Sequence, residues 1–152
     1  MIKKSFIIIT VFFFLSGCGF TPIFNSKNIN IKIDKIDYDN NKLNRNFAKS
    51  ISNLSNQTSD NFYNLNISSF SEKNIAAKDS KGNPSVYNLR LKVDITLINN
   101  NDEKVIKRIF SENINLNNID DKFKLKNTED ILLDQMSQKI LQDILKFIAS
   151  AK

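Results

Sequence analysis

The amino-acid sequence predicts an α+β fold, in which a four-stranded, mainly antiparallel sheet carries two helices packed on one face, in the order β-α-β-β-β-α. Three patterns support this prediction. Apolar and polar residues alternate over 87–97, as in a strand with one buried face. Apolar residues recur every three or four positions towards the C-terminus, which is the period of an amphipathic helix. A shorter alternation near residue 30 is followed by another helical stripe.

The first strand and the first helix are predicted between residues 29 and 54. Ile29, Ile31 and Ile33 alternate with polar residues, which indicates a strand. Residues 39–41 (Asp-Asn-Asn) then offer side chains that can cap a helix. The apolar stripe of that helix consists of Leu43, Phe47, Ile51 and Leu54. A helical crossover of this kind, followed by a meander of strands, gives the predicted sheet.

Two strands and a loop are predicted in the middle of the chain. A short alternation at Tyr63, Leu65 and Ile67 indicates the second strand. The segment around 76–85, which holds Gly82 and Pro84, is expected to be a long loop. The third strand has the clearest pattern in the chain, because its apolar residues occupy every second position. They are Tyr87, Leu89, Leu91, Val93, Ile95 and Leu97.

A hairpin is predicted at residues 99–102 (Asn-Asn-Asn-Asp), because Asn and Asp tolerate the left-handed conformation of tight turns. The return strand, at about 104–116, has a mixed pattern in which charged residues share a face with apolar ones. The residues on that face are Ile106, Arg108, Phe110, Glu112 and Ile114, while Val105 and Ile109 lie on the other. Two interpretations remain open: both faces are partly covered, or the strand contains a bulge.

The C-terminal helix is expected to begin near Asn127 or Thr128, either of which can cap it. Glu129 and Asp130 favour the positive end of its dipole. The apolar stripe consists of Leu133, Met136, Ile140, Ile144, Phe147 and Ile148, and it is widened by Leu132, Leu141 and Leu145. This stripe predicts packing against the sheet rather than an exposed partner-binding face.

The N-terminus has the features of a secretion signal. Lys3 and Lys4 form a positive region, and Phe6–Leu15 forms an apolar region that is too short to span a bilayer. Residues 15–18 (Leu-Ser-Gly-Cys) then resemble a bacterial lipobox. Cleavage between Gly17 and Cys18 would free the cysteine, whose thiolate can take a lipid.

The lipobox divides the chain into three parts: a lipoprotein signal peptide at 1–17, a lipidated tether at 18–28 and one α+β domain at 29–152. Two or more acyl chains on one residue are enough for stable membrane anchoring. Gly19 follows the cysteine in place of the Asp that commonly retains lipoproteins in the inner membrane, so the outer membrane is favoured. The alternative is a secreted protein with a chance cysteine near its cleavage site.

Composition argues against an enzyme and against nucleic-acid binding. The chain has no His, so the usual general base and the commonest metal ligand are missing. Its three glycines form no phosphate-binding loop. Asp120-Asp121 is the only weak metal candidate, and a solvated loop is favoured there. Removal of Lys3 and Lys4 with the signal peptide lowers the net charge of +6 to a mild +4. Because His and a phosphate-binding loop are missing, we expect no metal and no cofactor other than the covalent lipid.

Residues 18–24 (Cys-Gly-Phe-Thr-Pro-Ile-Phe) resemble the start of mature LptE-type lipopolysaccharide-assembly lipoproteins of the alphaproteobacterial form. Phe20 and Pro22 match that motif, Ile23 and Phe24 are conservative replacements, and Asn25 replaces a glycine that often follows. The resemblance implies an anchor in the periplasmic leaflet of the outer membrane. It also implies a role as plug and assembly factor for an LptD-type β-barrel, with lipopolysaccharide as cargo.

Basic residues around the middle loop are the candidate contacts for the phosphates of such a cargo. They are Lys78 and Lys81 in the predicted loop, with Arg90 and Lys92 on the strand after it. The hypothesis depends on their local density and on no motif, and a solvated loop is the simpler interpretation. Two other functions fit the sequence: a lipoprotein of another envelope lipid-transport system, or a structural envelope lipoprotein without cargo.

Overall fold

The computed structural model describes residues 31–55 and 58–151, which form one sheet and two helices. The elements are β1 (Lys32–Tyr38), α1 (Lys42–Ser52), β2 (Phe62–Lys78), β3 (Pro84–Asn99), β4 (Val105–Asn117) and α2 (Lys122–Ser150). The strands lie in the order β1-β2-β3-β4, with β1 parallel to β2 and the other neighbours antiparallel. This arrangement confirms the predicted fold class. The signal peptide, Cys18 and the tether lie outside the described residues.

Strand β1 extends beyond the predicted alternation. A β-bulge at Asp34 explains why the alternation stops although the strand continues. Ile31 and Ile33 are buried, as their alternation predicts. The extra residue then moves Ile36 onto the same face as Ile33, which breaks the period of two in the sequence. The residues of the neighbouring strand that lie on this same face are Tyr63, Leu65 and Ile67.

Helix α1 begins where the sequence predicts. Asn41 is its N-cap, and the side-chain Oδ1 accepts a hydrogen bond from the backbone N–H of Asn44 at 2.8 Å. The helix buries Phe47 and Ile51 against the sheet. The side chain of Asn44 is also buried, and its Nδ2 donates to the carbonyl of Asp39 at 3.0 Å, which fixes the turn from β1 into the helix.

The core lies between the sheet and the two helices, on one face of the sheet. Strand β3 supplies its centre with five residues that are at most 1% exposed: Leu89, Leu91, Val93, Ile95 and Leu97. Helix α2 covers them with Ile140, Ile144 and Ile148. Burial of each such aliphatic side chain contributes roughly 1.5–3 kcal/mol. The prediction that both helices pack on one face is confirmed, and we call the other side the open face.

The predicted long loop at 76–85 is wrong, because β2 extends to Lys78 and β3 begins at Pro84. Only residues 79–83 connect the two strands. All side chains of β2 from Lys73 to Lys78 are exposed, so no buried face imposes an alternation on this half of the strand. The strand continues there through backbone pairing, with Ile75 opposite Tyr87 and Lys78 opposite Pro84.

Neither interpretation of the mixed strand is correct. Strand β4 pairs with β3 in continuous register and has no bulge, and Val105 and Ile109 on its open face are 52% and 61% exposed. The charged residues on its helix face have partners instead. Arg108 lies over the rings of Phe110 and Phe147, and Glu112 pairs with Lys139. Because β4 is an edge strand, these charges reach solvent beside α2.

Helix α2 begins at Lys122, and its cap, Asp121, lies six or seven residues before the predicted caps Asn127 and Thr128. Asp121 is the N-cap, and its Oδ1 accepts from the N–H groups of Phe123 and Lys124 at 3.0 and 3.1 Å. The first turn buries only Leu125, so it adds little to the apolar stripe by which the helix is recognised. In the part of the chain that the structure describes, no helix combines the length and apolarity needed to cross a bilayer.

Candidate functional site

One end of the sheet brings together the β2–β3 hairpin and the start of α2. We call it the distal end and define it as residues 75–85 and 118–124. The backbone N–H of Asn118 donates to the carbonyl of Ser85 at 2.8 Å, and its side-chain amide donates to the carbonyl of Pro84 at 2.8 Å. These bonds hold the segment that leads into α2 against the base of the hairpin.

The hairpin turn is ordered by one carboxylate. Oδ1 of Asp79 accepts from the backbone N–H groups of Lys81 and Asn83 at 2.9 and 2.8 Å. Gly82 has a φ of +85°, in the left-handed region that residues with a Cβ disfavour. The hydrogen bond from the N–H of Asn83 lowers the pKa of Asp79 below its usual value, despite opposing desolvation. The turn therefore has a defined conformation.

This turn presents Lys78 and Lys81, the two basic residues predicted for it. Both side chains are exposed, and neither pairs with a carboxylate of the described chain. Because the turn is already fixed, its backbone would lose little conformational entropy when these lysines bind an anion.

The start of α2 adds residues to the distal end that the sequence did not identify. Phe123 is 82% exposed and lies between Lys122 and Lys124. Ile75, on β2, is 51% exposed. The distal end thus combines unpaired ammonium groups with exposed apolar side chains. The signal in the sequence is a phenylalanine between lysines, but it has meaning only when α2 is known to begin at Lys122.

An ion-pair network fastens the start of α2 to β2. Lys73 Nζ lies 2.6 Å from Glu129 Oε2 and 4.7 Å from the ring centroid of Tyr87. Lys126 pairs with the same carboxylate at 3.3 Å and with Asp130 at 2.8 Å. Burial would raise the pKa of Glu129, but the hydrogen bonds from the two lysines outweigh it and lower that pKa. The same contacts raise the pKa of Lys126, first through Asp130.

Arg90 and Lys92 lie on the open face and not beside the hairpin turn. Arg90 donates from Nη1 to Glu72 at 3.1 Å and from Nε to the side-chain oxygen of Asn113 at 2.9 Å. Lys92 lies 3.4 Å from Asp94. The structure therefore divides the four predicted contacts into an unpaired group at the distal end and a paired group on the open face. Contact of either group with a cargo stays a prediction.

The acidic pair considered as a weak metal candidate has a structural role in the fold. Asp121 caps α2, while Asp120 is exposed beside it. Within residues 31–55 and 58–151, no three His, Cys, Asp or Glu side chains come close enough to hold a metal ion.

Comparison with known proteins gives a family and a shared fold. The model of the LptE family, described as lipopolysaccharide-assembly, matches residues 30–148. Rare lipoprotein B from Shewanella oneidensis superposes with a TM-score of 0.61 at 14% identity, over 77% of this chain and 95% of that one. Lipoprotein B from Nitrosomonas europaea gives a TM-score of 0.63 at 18% identity, over 81% and 87% of the two chains.

A third similar structure, a lipoprotein from Caulobacter crescentus, has a TM-score of 0.52 at 12% identity, over 80% of this chain and 89% of that one. At such identities the likeness establishes the fold alone. No curated protein sequence matches the chain at a significant level. The family match spans both helices and all four strands up to residue 148, and it agrees with the resemblance at residues 18–24. The chain therefore belongs to the LptE family of lipopolysaccharide-assembly proteins.

Proposed function

We propose that the protein is an outer-membrane lipoprotein, anchored through Cys18, that plugs an LptD-type β-barrel, assists its assembly and helps deliver lipopolysaccharide to the cell surface. The observation that carries this proposal is the family match over residues 30–148. The family consists of non-enzymatic, envelope-associated lipoproteins of lipopolysaccharide assembly.

The open face supports a position in a wet barrel interior. Its charges are largely neutralised in pairs, among them Lys35 with Asp37 at 2.9 Å and Arg90 with Glu72 at 3.1 Å. Amides and hydroxyls share the remainder with the exposed side chains of Phe70, Val105 and Ile109. The amides and hydroxyls are those of Asn64, Asn66, Ser68, Asn88, Thr96, Asn113 and Asn115. Such a surface can exchange hydrogen bonds with the polar residues and water that line an outer-membrane barrel.

The distal end supports contact with lipopolysaccharide. The cargo carries phosphate groups next to acyl chains, and the distal end offers ammonium groups next to exposed apolar side chains. Lys78 and Lys81 on the turn, and Lys122 at the start of α2, would neutralise phosphates. Ile75 and Phe123 would contact acyl chains. The hydrogen bonds of Asn118 hold the two halves of this surface together.

The barrel partner is tested by affinity purification of the full-length, tagged protein from solubilised outer membrane, followed by mass spectrometry. We expect a large outer-membrane β-barrel protein to co-purify. Recovery of an inner-membrane transporter or its periplasmic subunits instead would support the alternative of another lipid-transport system. Recovery of no partner would favour the structural lipoprotein.

The anchor is tested separately with the C18S variant. Metabolic labelling with a fatty acid should modify the wild-type protein and leave C18S unlabelled, because the serine hydroxyl cannot replace the thiolate. The mature N-terminus of the wild type should map to Cys18. An unlabelled wild type, or a mature N-terminus elsewhere, would contradict the anchor.

A further inference from the structure

The described chain begins at the end of the sheet opposite the distal end, and we call this end the tether end. Strand β1 starts there, where the N–H of Lys32 donates to the carbonyl of Asn61, and the N–H of Asn100 donates to the carbonyl of Phe62. Strand β4 also starts there, and α2 returns to it. Residues 19–30 precede the described chain and span at most about 40 Å. A lipid on Cys18 would therefore keep this tether end close to the membrane.

A groove between the start of β4 and the last turns of α2 opens at the tether end. Its volume is about 410 Å³, and Arg108 is one of the residues that line it. The guanidinium carbon is 5.6 Å from the ring centroid of Phe110 and 5.4 Å from that of Phe147. The two rings form an edge-to-face pair with centroids 5.9 Å apart. Contact with the two rings restricts the positions that the guanidinium can take.

Arg108 is the uncompensated charge of this groove. The two carboxylates nearby are engaged: Glu112 pairs with Lys139 at 2.9 Å, and Asp143 pairs with Lys146 at 3.1 Å. The hydrogen bond to Glu112 raises the pKa of Lys139, which favours the charged form of this lysine. Within the described chain no carboxylate lies within ion-pair distance of Arg108. Among the lining residues, the formal charges of Arg108 and Lys146 balance those of Glu112 and Asp143. Because Lys139, outside the lining, pairs with Glu112, Arg108 is the lining cation that is left without a carboxylate partner.

We propose that this groove binds the phosphodiester headgroup of a membrane glycerophospholipid, with Arg108 as the bidentate donor. The fork of a guanidinium matches two oxygens of one anionic group. A phosphodiester carries one negative charge, which matches the single unpaired cation of the groove, whereas Glu112 and Asp143 would repel the second charge of a phosphomonoester. The inference rests on the anchor in the proposed function, because the anchor brings the groove to the headgroups.

The test uses the full-length lipoprotein in a non-ionic detergent, titrated with the water-soluble lipid dihexanoyl-phosphatidylglycerol and followed by NMR. We expect saturable shifts at Arg108 and Phe147. R108Q should bind at least about tenfold more weakly, since a charge-assisted bidentate contact is lost. The matched control is K107Q: Lys107 is also exposed and unpaired in the described chain, but it lies on the open face opposite Thr96. The affinity of K107Q for the lipid should be within about twofold of the wild-type affinity.

Equal weakening by R108Q and K107Q would overturn the proposal, because it would indicate general electrostatic attraction. Shifts outside the groove in the wild type would also overturn it, whether or not R108Q folds. If inorganic phosphate or acetate bound as tightly as the lipid, the assignment of a lipid headgroup would be wrong. The ligand would then be a free anion or the carboxylate of a partner. R108K keeps the charge without the fork, and it should weaken binding less than R108Q. Normal co-purification of the barrel alongside a failed titration would reject only this inference.

Discussion

Single polar side chains fix where the helices of this protein begin. Asn41 and Asp121 each accept hydrogen bonds from N–H groups that the first turn of a helix leaves without partners. The first turn of α2 buries only Leu125, so the cap contributes much of what fixes the start of this helix. The position of Phe123, and hence half of the distal end, follows from the carboxylate of Asp121.

Replacement of that cap should be measurable. D121A should lower the free energy of unfolding by about 1 kcal/mol, the usual cost of removing an N-cap side chain. D120A is the matched control, since Asp120 is an exposed neighbour with the same charge, and its change should be within about 0.5 kcal/mol. Urea unfolding of both variants gives the comparison. Equal losses would show that charge near the helix terminus matters, and not the cap.

At the scale of elements, the start of α2 is attached to the sheet by the pair of Lys73 and Glu129 in addition to the buried side chain of Leu125. The folded-state pKa of Glu129 is lower than its ordinary value of 4.5. The contribution of this carboxylate to the free energy of unfolding is therefore fully present above pH 4.5. It is lost as the pH falls from 4.5 through the folded-state pKa.

The E129Q variant tests this attachment. Its unfolding free energy should fall less than that of the wild type between pH 7 and about pH 3.5, because Gln does not titrate. E103Q is the control, as Glu103 is exposed and makes no ion pair within the described residues, and its pH dependence should follow the wild type. If E129Q and the wild type lost the same stability on acidification, the proposed role of the pair would be wrong.

How much of each element could be predicted from sequence depended on how much of it is buried. Strand β3 was recognised because one face is covered along its length, which imposes a period of two. The outer half of β2 is exposed on both faces, so nothing in its sequence distinguishes it from a loop. The start of α2 cannot be recognised in the sequence for the same reason, because only Leu125 is buried in its first turn. Lys78 and Lys81 could therefore be proposed from sequence, whereas Phe123 required the structure.

At the scale of the whole molecule, the sheet separates two ends with different chemistry. The distal end presents lysines and exposed apolar side chains, while the tether end presents the groove of Arg108. The open face between them is largely neutral through its ion pairs. This division fits a body held to the membrane at one end that meets its cargo at the other.

Charge reversal at the hairpin turn tests the role of the distal end. K78E/K81E should weaken lipopolysaccharide binding by the full-length protein about tenfold or more, because two phosphate-neutralising groups become repulsive. K42E/K49E is the matched control, since it reverses two exposed, unpaired lysines on α1. Unchanged binding by K78E/K81E would remove these lysines from the proposed contact surface.

The most direct test of contact between the distal end and lipopolysaccharide is site-specific photo-cross-linking in living cells. A cross-linking amino acid at position 123, in place of the exposed Phe123, should form an adduct with lipopolysaccharide. The same amino acid at position 138, in place of the exposed Gln138 in the middle of α2, should not form one. Adducts at 138 and none at 123, or none at either position while the barrel still co-purifies, would contradict the claim that the distal end contacts the cargo.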